Sequence, residues 1–149
     1  LAAVLHNGLL LNHYVAHFIA CGPTWIWSDA IQPLAREVLR HPERRVFAAD
    51  WGISQQIEFY SQGRMPLNRV GDGVVLTLAE DPNSPKHLEA ALADPATLFL
   101  THTAGREVFP DIRTRLLAFA QERGYRHNLL KTIHDRHGAP IFEIHEFRR

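Results

Sequence analysis

The sequence predicts an α/β protein, a three-layer α/β/α sandwich on a mostly parallel sheet of about five strands with a C-terminal antiparallel hairpin. Three observations predict it. Short apolar runs bounded by charges alternate with segments whose apolar residues recur at helical spacing. Residues 127–134 and 140–147 flank Asp135-Arg-His-Gly138, turn chemistry that closes a hairpin. The chain has 149 residues, 46% hydrophobic and 21% charged, enough for one ordinary core.

The elements follow in order. Residues 1–26 form an apolar, juxtamembrane-like lead, and 27–149 a single soluble α/β domain. In the lead, His6, Asn7, Asn12, His13 and His17 interrupt the aliphatic residues, so it is not a bilayer-spanning helix as it stands. Leu10 to Ala20 is expected to be helical; the alternative is a hairpin turn at Asn7-Gly8. The apolar opening at Leu1, without an initiator methionine, suggests a piece of a longer protein with a membrane anchor upstream.

Ile31, Leu34, Ala35, Val38 and Leu39 lie on one helical face, with Ser28 and Asp29 as caps and Pro33 in the first turn. Arg45 to Asp50 is a buried strand. Ile53, Ile57 and Tyr60 give a second helix, which Gly63 caps. Val74 to Leu78 is expected to be the next strand. Pro85 opens a helix carrying Leu88, Ala91 and Leu92, and Thr97 to Thr101 is a third strand. Pro110 and Asp111 open a helix through Ile112, Leu116, Phe119 and Ala120, which Gly124 ends.

Charge and cysteine content exclude several classes. Sixteen basic and sixteen acidic residues cancel, so the chain lacks the basic footprint of a nucleic-acid binder. Its one cysteine, Cys21, builds neither an internal disulfide nor a thiolate zinc site. The turn after the first strand holds one glycine where a dinucleotide fingerprint has three, and no phosphate-binding loop motif occurs. No Gly-x-Ser-x-Gly elbow surrounds Ser54. No cofactor is expected. The ten histidines invite a metal reading, with His13-x-x-x-His17 on one helical face and His134, His137 and His145 in the hairpin. They are too scattered for one coordination shell, and no metal is expected.

In open α/β sheets ligands sit beyond the carboxyl ends of the strands. That rule selects Asp50, Trp51 and Gly52 after the first strand and Thr101, His102 and Thr103 at the end of the third. Asp50 would accept from a sugar hydroxyl, Trp51 would stack on its apolar face, and the Gly52 amide would open a helix. The plainer reading, that Asp50 caps that helix and Trp51 fills the domain edge, carries more weight. His102 as a general base has no visible partner, so no catalytic residue is expected.

Three stretches together support a resemblance: Trp27-Ser28-Asp29-Ala30-Ile31 with Pro33-Leu34-Ala35; Asp50-Trp51-Gly52-Ile53 with Ser61-x-Gly63-Arg64; and Ile133-x-Asp135-Arg136-x-Gly138-x-Pro140-Ile141-Phe142-Glu143-Ile144. The chain resembles the soluble C-terminal domain that follows the last membrane span in bacterial dolichyl-phosphate-mannose-protein mannosyltransferase-like, lipid-linked-sugar-dependent glycosyltransferases. The resemblance implies an extracytoplasmic domain of a polytopic membrane protein, partnered by the membrane part of its own parent chain. The catalytic carboxylate of that superfamily lies in a membrane loop outside this chain. The expected function is therefore non-catalytic, contributing to recognition of a sugar or peptide acceptor. Two rivals stand beside it: a free-standing carbohydrate- or small-molecule-binding module, and a small hydrolase or transferase with an unrecognised site.

Overall fold

A computed structural model describes residues 2–21, 27–65, 67 and 71–149. The elements are α1 (Ala2–Cys21), α2 (Ile31–Val38), β1 (Arg45–Ala48), α3 (Ile53–Ser61), α4 (Gly71–Val74), α5 (Ser84–Ala93), β2 (Thr97–His102), α6 (Ile112–Glu122), β3 (Arg126–His134) and β4 (Pro140–Arg148). The lead is helical through Asn7-Gly8, so the hairpin alternative falls. Leu1 and residues 22–26 of the predicted lead segment lie outside the described residues. Among the described residues no helix is long and apolar enough to cross a membrane.

The predicted mostly parallel five-stranded sandwich is wrong. Among the described residues the sheet has four strands in the order β1-β2-β4-β3, and only β1 and β2 run parallel. β4 lies antiparallel between β2 and β3, which places the hairpin's second strand in the sheet interior. The missing strand is Val74 to Leu78. Its β-branched composition suits a strand, yet α4 ends at Val74 and turns follow. Thr77 donates both its amide and its hydroxyl to the Gly73 carbonyl, at 3.0 and 2.8 Å, helical partners four residues apart. The edge of β1 is occupied in another way. Leu67 makes an isolated parallel bridge to Val46, and Gly71 crosses so near that an added Cβ would stand 2.7 Å from the Ala48 carbonyl oxygen. Tertiary packing here overrides local strand propensity.

Side chains alternate across each strand and build two apolar clusters. Val46, Ala48, Leu98, Leu100, Phe142 and Ile144 join α2 and α3 in one. Phe47, Phe99 and Phe147 join α5 and α6 in the other, with Phe47 and Phe99 ring centroids 5.2 Å apart. α1 belongs to neither cluster.

Candidate functional site

β1 and β2 run side by side, so the residues leaving their carboxyl ends emerge together. Asp50 follows β1 and His102 closes β2, both on the face of Ala48 and Leu100. His102 Nδ1 lies 2.7 Å from Asp50 Oδ2, although 52 residues separate them in sequence. The pair is buried, His102 being 3% exposed and Asp50 fully covered. The imidazole packs over Phe142, with ring centroids 4.8 Å apart.

The Asp50 carboxylate accepts three further hydrogen bonds, from the amides of Trp51 (2.8 Å), Val108 (2.9 Å) and Phe109 (3.3 Å). Burial pushes its pKa up, but the hydrogen bond from His102, the amide bonds and the favourable charge of His102 together outweigh burial and hold the carboxyl below its ordinary value. Asp50 is thus an anion that ties β1, β2 and the 103–111 loop together. The anionic acceptor faces Nδ1, so a proton is held on that nitrogen and Nε2 is left as the second ring nitrogen. This is the orientation that a carboxylate gives the histidine of acid–base dyads.

The cap reading of Asp50 does not hold, because α3 has no side-chain cap. Its N-cap is Gly52 at φ 83°, left-handed backbone that favours glycine. That turn presents Trp51 to solvent at 43% exposure, directly beside the buried carboxylate. The remaining predicted residues diverge. Thr103 donates its hydroxyl to the Pro140 carbonyl (3.0 Å). Thr101 lies on the opposite face of the sheet from His102, and its hydroxyl meets His145 Nε2 at 2.9 Å.

Thr101 opens a second polar cluster that was not among the expected site residues. His145 is fully buried and its Nδ1 lies 2.9 Å from His127 Nε2. Glu143 Oε2 is 3.4 Å from His145 Nε2, but Arg113 donates to that same oxygen at 2.5 Å. Burial first, then the charges of His127 and Arg113, lower the His145 pKa to about 3. The same factors, burial and the Arg113 charge, lower that of His127. A signal for this cluster lies in β4, where Glu143, His145 and Glu146 sit within a run that is buried from Ile141 to Phe147. A central strand carries such residues only when they find partners.

The histidines of the metal reading fall in separate places. His13 and His17 are exposed on α1, His17 Nδ1 lying 3.5 Å from Cys21 Sγ, while His134 and His137 are exposed near the hairpin turn. Among the described residues no three His, Cys, Asp or Glu side chains converge as a metal site.

The fold and site define an α/β domain with a buried Asp–His clamp at the carboxyl end of its parallel strand pair. Compared with protein-family models, with curated proteins and with solved structures, the chain matches none.

Proposed function

We propose that this chain is a non-catalytic α/β domain of a lipid-linked-sugar-dependent membrane glycosyltransferase, on its extracytoplasmic side, and that Trp51 helps recognise a sugar or peptide acceptor. The sequence resemblance supports the parent. The observation that carries the recognition role is the placement of Trp51: an exposed indole on a left-handed glycine turn, held at the strand ends by a carboxylate whose oxygens are already engaged. Asp50, with four donors in the fold, has the role of holding Trp51 in place and not of contacting the ligand. An indole face stacks on the apolar face of a sugar ring or on a peptide side chain. One such contact gives only loose binding, around the millimolar range.

The test is a titration of the chain with monosaccharides, short acceptor peptides and a water-soluble polyprenyl-phosphate sugar, watching the Trp51 indole N–H by NMR. A saturable shift at Trp51, lost in Trp51→Ala, is the expected result. No ligand-dependent shift at Trp51 with any of these compounds overturns the recognition role.

One observation favours a second reading, an enzyme in its own right. The Asp50–His102 pair has the geometry that orients a general base. That reading requires hydrolysis or transfer by the isolated chain, abolished by Asp50→Asn in a protein that remains folded.

A further inference from the structure

The groove between α2 and the outermost strand carries a charge that the whole chain does not. β3 ends the strand order, so one of its edges pairs with no strand among the described residues. Its sequence, RHNLLKTIH, holds two cations and two histidines and no acid. Across from it, Arg36, Glu37 and Arg40 of α2 line a cavity of about 420 Å³ with Lys131 and His134. Arg44 lines an adjoining cavity of about 330 Å³, again with Glu37 and Lys131. The carboxylates here are shared: Glu37 accepts from Arg40 (2.9 Å) and Lys131 (2.7 Å), and Glu146 from Arg44 (3.0 Å) and Arg148 (2.6 Å). A third acid, Glu43, meets His41 at 3.7 Å. Among the described residues Arg36 and Arg126 have no acidic partner; Arg36 reaches only the Gln32 carbonyl, and Arg126 stands opposite Arg148 across β3 and β4. Like charges so placed repel. Six cations thus stand against three acids, in a chain whose sixteen basic and sixteen acidic residues cancel.

The form of the groove decides which anion fits it. A strand edge presents backbone amides and carbonyls that another extended backbone matches, so the partner is a peptide. A nucleic-acid strand asks instead for exposed aromatic rings along its track. The exposed Trp27, Trp51, Phe59 and Tyr60 line neither cavity. A second copy of this chain fits badly, because β3 laid antiparallel on β3 sets cations against cations. The bulge between Leu129 and Lys131 divides the edge into two short stretches, which discourages a long flat strand and admits a short one. Lys131, the residue type that guards an edge, is already engaged by Glu37. The floor of the smaller cavity is apolar: Val38, Leu98 and Ile144 are buried, and Leu130 is 45% exposed. One aliphatic side chain of the partner can seat there, beside its acids.

We propose that the groove between α2 and β3 binds a short, extended, acidic peptide segment. Its backbone pairs with the free edge of β3, its carboxylates meet Arg36, Arg40 and Lys131, and an aliphatic side chain covers Leu130 and Ile144. The inference stands on this groove and does not depend on Trp51 or on sugar transfer.

The test is fluorescence anisotropy of a labelled peptide of alternating Glu and Val, as long as β3 at 9 residues, titrated with the full chain. Saturable binding is expected, weakening about tenfold or more from ~0.02 M to ~0.3 M salt as exposed charges are screened. Amides of β3 should exchange with solvent more slowly in the complex. Arg36→Glu with Arg40→Glu should weaken binding about tenfold or more and leave thermal unfolding nearly unchanged, because both side chains are exposed. A peptide of alternating Glu and Pro keeps the charge and loses half of the amide donors, so it should bind about tenfold more weakly. Equal binding of that peptide, or unchanged exchange on β3, overturns the strand pairing. Equal binding of a Lys–Val peptide overturns the acidic partner. A chain that dimerises through β3, that binds tripolyphosphate as tightly as the Glu–Val peptide, or that leaves the peptide unbound at low salt overturns the proposal.

Discussion

Two adjacent residues of β2 lead to two different polar sites. His102 lies on one face of the sheet, clamped to an anionic carboxylate; Thr101 lies on the other, against an imidazole with no carboxylate free to pair with it. Glu143 is the nearest acid to His145, and Arg113 already holds it. Burial is nearly complete at both histidines. What differs is the partner. Burial with a committed anion gives a charged clamp across two strands, whereas burial beside a second imidazole and an arginine gives a histidine held neutral far below its ordinary range. Strand alternation alone assigns neighbours in sequence to these opposite environments.

The largest expected effect tests the charged side. Asp50→Ala leaves His102 Nδ1 and the amides of Val108 and Phe109 without their acceptor in a buried site. Such a loss costs about 3–5 kcal/mol, read by chemical denaturation. A cost below about 1 kcal/mol would make the clamp dispensable.

The neutral side is tested by acid. The unfolded chain takes up a proton on His145 near the ordinary 6.5, whereas the folded protein resists until about 3. The unfolded state therefore binds more protons in that window, and stability falls as pH falls. From pH 7.5 to 5 the loss attributable to His145 is about 2 kcal/mol, absent in His145→Asn. Asp50 acts in a separate window. Its folded pKa lies below the ordinary 3.8, so its contribution is present above that value and is lost only as pH drops through the acidic range beneath it. A denaturation series that shows a single loss confined below pH 4 would contradict the difference between the two sites.

A smaller effect, about 1–3 kcal/mol, is expected for Gly71→Ala, whose new Cβ would press on the carbonyl of Ala48, the last residue of β1 and two positions before Asp50. Trp51→Ala should change stability by less than about 0.5 kcal/mol, because the indole lies at the surface.

Much of the scaffold was legible in the residues. The stripes of α2, α3, α5 and α6 and the turn at Asp135–Gly138 follow local rules of periodicity and backbone geometry, and these elements form where expected. Val74 to Leu78 did not, because the close approach of Gly71 to β1 is a contact between distant segments that no local pattern encodes. Strand order was illegible for the same reason: nothing local distinguishes a hairpin appended at an edge from one whose second strand is interior. At the site, the carboxyl-end rule selected Asp50 and His102 individually. Their pairing depends on the parallel register of β1 and β2, and the loop amides that complete the carboxylate's shell carry no side-chain signal. Thr101 was drawn to the same site by its position in sequence, and alternation places it on the opposite face.

The central claim is that the buried clamp holds Trp51 in place while Trp51 meets the ligand. Sugar transfer by the proposed membrane-bound parent, with the acceptor varied, tests it most directly by setting Trp51→Ala beside Asp50→Asn. The account predicts that Trp51→Ala raises the acceptor KM about tenfold or more with kcat nearly unchanged, the sign of lost binding and not of lost chemistry. It predicts that folded Asp50→Asn retains kcat. A collapse of kcat in Asp50→Asn, with Trp51→Ala indistinguishable from the wild type, would contradict it and place the chemistry on the Asp50–His102 pair.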